Sequence, residues 1–108
     1  METTDKFFYA IDRERWNQLS IFDQMGNIGS EASRTLKLKR NGEDFQAAII
    51  RALDLFDATV EVLVRNKSHW TKEVLRARDQ FLKALFIADD PTIETYFMQF
   101  ALAARFNR

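Results

Sequence analysis

"MGNIGSEASR", residues 25–34, places Gly26 and Gly29, two of only three glycines in the chain, inside a stretch that otherwise reads as helix. Each glycine costs a helix interior about 0.5–1 kcal/mol relative to alanine. A phosphate cradle, a hinge or a close helix–helix contact could offset that cost. A phosphate-binding loop sets its glycines after a strand and ahead of a helix, as in G-x-G-x-x-G. Here "SIFDQ", residues 20–24, already opens a helix, with Ser20 and Asp23 in capping-box relation, and no strand pattern precedes it. Gly26, Gly29, Ser30 and Ser33 recur at helical steps along one flank of an apolar stripe that includes Phe22, Met25, Ala32 and Leu36. The stretch therefore predicts an amphipathic helix whose small residues admit a neighbouring helix at close range. Tyr96, Phe97 and Phe100 are the bulky side chains expected to fill that space.

Working outward, "KLKRNG" at residues 37–42 ends this helix with cations in its last turn and Asn41-Gly42 as the stop. A second helix is predicted from Glu43 and Asp44 to about Asn66, with Phe45, Ile49, Ala52, Phe56 and Leu63 as its stripe. The third begins near Ser68 and carries Trp70, Val74, Ala77, Phe81, Ala84 and Leu85 inward. "IADDPT", residues 87–92, interrupts with Asp90 as N-cap and Pro91 at a first helical position. The fourth then buries Ile93, Phe97, Phe100, Ala101 and Ala104. Residues 5–17 suggest a short extra helix. Short links between helices predict an all-α fold: one domain over residues 1–108, an antiparallel up-down four-helix bundle.

Composition narrows the function classes. There is no cysteine, so disulfides, zinc fingers and thiol nucleophiles are excluded. Sixteen basic residues balance sixteen acidic ones, whereas nucleic-acid binders usually carry a basic excess. The apolar patch from Phe7 to Ile11 is too short for a signal or a membrane span, and no later run is long enough. A cytoplasmic protein with no membrane partner and no cofactor is expected.

"WNQLSIFDQMGNIGSEASR" (16–34) and "YFMQFALAARFNR" (96–108) resemble a set of short prokaryotic helical proteins. These share a Trp-x-x-Leu-Ser opening, a Gly-Asn-Ile-Gly-Ser-Glu core and a Tyr-Phe-x-x-Phe-Ala-x-Ala-Ala-Arg ending. The layout is also similar to four-helix-bundle families such as the intervening-sequence proteins of bacterial 23S rRNA genes. A further similarity is to the accessory proteins of diversity-generating retroelements, a basic, oligomeric group that binds a reverse transcriptase with its RNA; this chain carries no net charge. The resemblance implies a helical bundle and no catalytic role.

Few residue constellations could carry chemistry. "RNKSHW" holds the only histidine, His69, four residues after Arg65, a spacing shorter than in helical ribonucleases that pair the two. A lone histidine also lacks the acid–base partner that metal-free RNA cleavage uses. Asp54, Asp57 and Glu61 lie opposite the apolar stripe and without a Glu-x-x-His motif, so they read as a solvated face rather than a metal site. No catalytic or metal-binding residue is assigned. Arg78 projects within the apolar arc of the third helix, beside Phe81, Leu82 and Leu85. It predicts either a stem snorkelling from the core edge or a buried ion pair. At one end of the bundle Arg65, Lys67, Lys72, Arg105 and Arg108 gather as a candidate polyanion site, whereas "RTLKLKR" (34–40) lies beside Glu43, Asp44, Asp89 and Asp90.

The last signal is an excess of apolar faces. Met98, Leu102 and Phe106 recur at four-residue steps opposite the buried side of the fourth helix, and Leu75, Leu82 and Phe86 widen the arc of the third. Helices apolar most of the way round are normally buried most of the way round. These six residues predict one contiguous patch and a homo-oligomer. A non-enzymatic interaction or accessory protein, with a protein partner, is the function expected. A nucleic-acid-binding accessory protein using the basic end is the second reading.

Overall fold

A computed structural model describes residues 11–106, in which every regular element is a helix: α1 (Arg13–Trp16), α2 (Ile21–Arg40), α3 (Gln46–Arg65), α4 (Thr71–Phe86) and α5 (Thr92–Phe106). No helix among these residues is long and apolar enough to cross a membrane. Local chemistry sets each boundary. The Asp23 amide donates to Ser20 Oγ at 3.0 Å, and the Ser20 hydroxyl returns to the Asp23 carboxylate at 3.1 Å. Gly42 follows α2 with φ +70°, where L side chains are strained. α3 starts later than Glu43 because Asp44 turns the chain first, accepting from the Gln46 amide at 3.0 Å. α4 is likewise delayed: Lys67 sits at φ +52° and Ser68 Oγ accepts from the Trp70 amide at 3.1 Å, so residues 67–70 form a turn. Asp90 accepts from the Thr92 amide at 3.1 Å across Pro91. Of the extra helix suggested over residues 5–17, the described part is helical only at Arg13–Trp16, and residues 1–10 lie outside the description.

Contacts fix which helices meet and in what sense. Gly26 faces Ala101, Gly29 faces Phe97, and Ser33 donates to Glu94, so α2 and α5 run antiparallel. Thr59 meets Gln24, and Arg51 meets Glu31, which sets α3 antiparallel to α2. Phe56 stacks on Phe81 with centroids 6.1 Å apart, while Phe45 lies 6.3 Å from Phe86, so α4 reverses again. Tyr96 with Glu73 and Trp70 with Phe100 pair α5 antiparallel to α4. The interior is filled by Met25, Ile28, Leu36, Phe56, Val74, Phe81 and Leu85, all essentially without solvent contact.

The glycines lie on the α2–α5 seam. A Cβ built on Gly29 would stand 2.5 Å from the Cβ of Phe97, and one on Gly26 would stand 3.2 Å from the Cα of Ala101. The absence of side chains lets the two backbones approach, and Phe97 fills the space with 3% exposure. On the opposite side of α2, α1 is tied down by a buried polar relay. Trp16 Nε1–H donates to Thr59 Oγ1 at 2.9 Å, and Thr59 donates to Gln24 Oε1 at 2.9 Å. The Gln24 amide then donates to the carbonyls of Trp16 and Leu19 at 3.0 and 3.2 Å. Arg13 adds ion pairs to Asp54 (3.0 Å) and Glu61 (3.2 Å). These two acids therefore bind α1 and are not simply a solvated face.

At the end where α2 stops, Arg40 bridges Asp89 (2.9 Å) and Glu94 (2.7 Å), and the Ser33 hydroxyl donates to Glu94 at 2.8 Å. Burial pushes the Glu94 carboxyl up, but the hydrogen bonds from Arg40 and Ser33 outweigh it and hold the group below its ordinary value of 4.5. A depressed carboxylate stabilises the fold fully above its unfolded pKa, and that contribution is lost as pH falls through the folded value. Glu94→Gln is accordingly expected to cost about 1 kcal/mol at neutral pH and less near pH 3, because the wild-type contribution fades as pH falls below the carboxyl's ordinary value. Urea denaturation at both pH values checks this; an equal cost at both would show that the charge is not what matters.

Candidate functional site

Two apolar grooves and one basic end are the surface features of note. The first groove follows the α2–α5 seam and encloses about 610 Å³. Gly26, Ser30 and Ala101 make its shallow floor, Met98 stands as its wall, and Arg34 and Lys37 mark the rim. The outward side of α5 is unusual in composition: residues 95–104, between Glu94 and Arg105, carry no charge. Thr95, Met98, Gln99, Ala101 and Leu102 of that run are exposed, and Phe106 beyond it is 82% exposed.

The second groove, about 550 Å³, follows the α3–α4 seam, where Leu75 stands over Val60 and Val64 beside Asp57 and Arg78. α2 and α5 meet on one side of the molecule and α3 and α4 on the other. The single contiguous patch expected from the sequence is thus divided, because Met98 lines the α2–α5 groove while Leu75 lines the α3–α4 groove. Leu82 belongs to neither. It is half-buried and packs against the core, since its position on α4 turns inward beside Phe81. Phe86, 60% exposed, lies at a third place, against Phe45 and beneath Lys39 Nζ at 6.0 Å from its ring centre.

The expected buried ion pair of Arg78 is not buried. Its side chain is 35% exposed and its Nε stands 3.8 Å from an Asp57 oxygen, a loose surface contact. The long stem lets the guanidinium leave the apolar arc, as the snorkelling alternative anticipates.

At the basic end, Arg65, Lys67, Lys72 and Arg105 are all exposed, and Arg108 lies outside the described residues. None of the four forms an ion pair with a described carboxylate, in contrast to Arg40 at the far end. His69 is exposed, its ring 5.4 Å from that of Trp70. One polar contact had no signal in the sequence. The half-buried Tyr96 hydroxyl donates to Glu73, and burial, aided by that carboxylate, pushes the phenol pKa well up. Among the described residues no group of three His, Asp or Glu side chains is arranged to hold a metal ion. No family model, curated protein or solved structure shows significant similarity to this chain.

Proposed function

We propose that this chain is a non-enzymatic helical interaction protein, its four long helices arranged as an antiparallel up-down bundle, that self-associates through the outward face of α5. The uncharged run of residues 95–104 carries the reading. A helix face meant for water would be expected to hold a charge within two turns, and this one holds Met98 at 61% and Leu102 at 44% exposure instead. The surface is also suited to pairing with itself. A closed two-fold contact needs one patch that presents both projections and hollows. Met98 and Leu102 are exposed on α5, and Met98 stands beside the groove over Gly26, Ser30 and Ala101, which would receive such side chains. A second copy turned about an axis near Ala101 would set each pair of side chains into the other's hollow.

Sedimentation equilibrium at micromolar concentration tests this. The expected mass is about twice the chain's 12.7 kDa. Met98→Glu/Leu102→Glu is expected to leave the circular dichroism unchanged, because both side chains are exposed in the single chain, and to weaken association at least a hundredfold. A wild-type mass of 12.7 kDa, or an undiminished dimer in the variant, refutes the reading.

A further inference from the structure

We propose that the end of the molecule formed by the α3–α4 turn, the start of α2 and the end of α5 is a binding surface for single-stranded nucleic acid. The inference is independent of self-association. It rests on a juxtaposition of unpaired cations and partly exposed rings.

Trp70, half-buried in the turn, stands edge-on to Phe22 of α2 (5.9 Å) and Phe100 of α5 (6.2 Å), and so knits three elements into one aromatic end face. His69 extends it into solvent. Arg65, Lys67 and Lys72 flank Trp70 in its own turn and its neighbouring helix ends. On the other side Arg105 shares a shallow cleft with Phe22 and Asp23. Carboxylates also lie near this end, Glu61 paired with Arg13, Glu73 accepting from the Tyr96 hydroxyl and Asp23 accepting from Ser20. No described carboxylate forms an ion pair with these four cations. The chain as a whole is neutral, yet Arg65, Lys67, Lys72 and Arg105 stand without a described ion pair, whereas Arg40 at the far end bridges Asp89 and Glu94.

Cations on two sides of an aromatic centre suit a strand that runs across the face. Phosphates along the strand meet Lys72 on one flank and Arg105 on the other, while an unstacked base lies on His69 and Trp70. Grooves that bind single strands combine these same two elements, backbone cations and a stacking platform. A duplex keeps its base faces covered and can use only the cations.

The test is fluorescence anisotropy with labelled oligouridine and oligothymidine of about 12 nucleotides at about 50 and 200 mM salt. Four phosphate contacts on a single strand predict that this salt step weakens binding roughly 50-fold. Lys72→Glu/Arg105→Glu, on opposite flanks, is expected to weaken binding at least tenfold at the lower salt. His69→Ala is expected to weaken it severalfold with the salt dependence unchanged, a response that charge alone does not give. Both sets of positions are exposed, and unchanged helical circular dichroism confirms that the variants fold. A duplex of the same length is expected to bind at least tenfold less tightly. No binding by wild type at about 100 µM protein and low salt, equal binding by the double variant, or equal binding of duplex overturns the proposal.

Discussion

Gly29→Ala is expected to destabilise the protein by about 2–3 kcal/mol, although alanine is the better helix former by about 1 kcal/mol. The sign follows from one distance. The new methyl would sit 2.5 Å from the Cβ of Phe97, far inside van der Waals contact, so α2 and α5 must separate or Phe97 must leave the interior. Trimming the ring removes the lesser contacts of its Cγ (3.0 Å) and Cδ1 (3.3 Å) but leaves the closest one, because that atom is a Cβ. Phe97→Ala costs about 3–5 kcal/mol alone through the cavity it leaves. The Gly29→Ala/Phe97→Ala double variant is therefore expected to be worse than either single variant. Had the ring tip been the obstruction, the second change would rescue the first. Gly26→Ala faces the Ala101 Cα at 3.2 Å, a milder crowding, and serves as the graded control. Urea denaturation followed by circular dichroism reads all four proteins. Wild-type stability in Gly29→Ala would show that the seam is loose.

Trp16→Ala is expected to cost about 3–5 kcal/mol, a third or more of the stability of an ordinary small domain. Trp16 is 8% exposed, the only buried residue of a four-residue helix too short to persist alone. Its ring holds α1 on the seam of α2 and α3, and its Nε1–H begins the relay through Thr59 to Gln24. Thr59→Val separates packing from hydrogen bonding, because it keeps the shape and removes the hydroxyl. The Trp16 Nε1–H and Gln24 Oε1 then lose their partners, at roughly 2–4 kcal/mol for two orphaned buried groups. Thermal and urea unfolding of both variants checks the order. A neutral Thr59→Val would mean that water substitutes for the hydroxyl.

The helical class and the α2–α5 contact were legible because both depend on spacing. Gly26, Gly29, Ser33 and Phe97 fall on defined helix faces, and two facing helices bring them together however the loops run. Side-chain partnerships across helices were not legible in the same way. Glu31 falls on the polar side of the α2 wheel, yet it is half-buried on the α3 seam with Arg51 3.5 Å away. Asp54 and Glu61 look solvated until α1 folds over them, because nothing in α3 specifies where Arg13 arrives. The apolar face of α5 was readable as a lack of charge. Its separation from Leu75 depends on which neighbour each helix turns toward, and one helix wheel does not hold that information.

The tightest seam in the molecule joins α2 to α5, the first and last of the long helices, with Ser33 bonded to Glu94 across 61 positions of sequence. That arrangement bears on how the chain is made. During synthesis α2, α3 and α4 leave the ribosome in turn, and α3 can pack on α2 as soon as it emerges. The flank of α2 around Gly29, and the face of Phe56 that Phe97 covers, stay wet until the residues of α5 are free. Closure of this core therefore comes at the end of translation of this segment and joins its most distant parts, a slow geometry for an all-helical protein. In that interval the nascent helices expose an apolar cleft shaped for one aromatic helix.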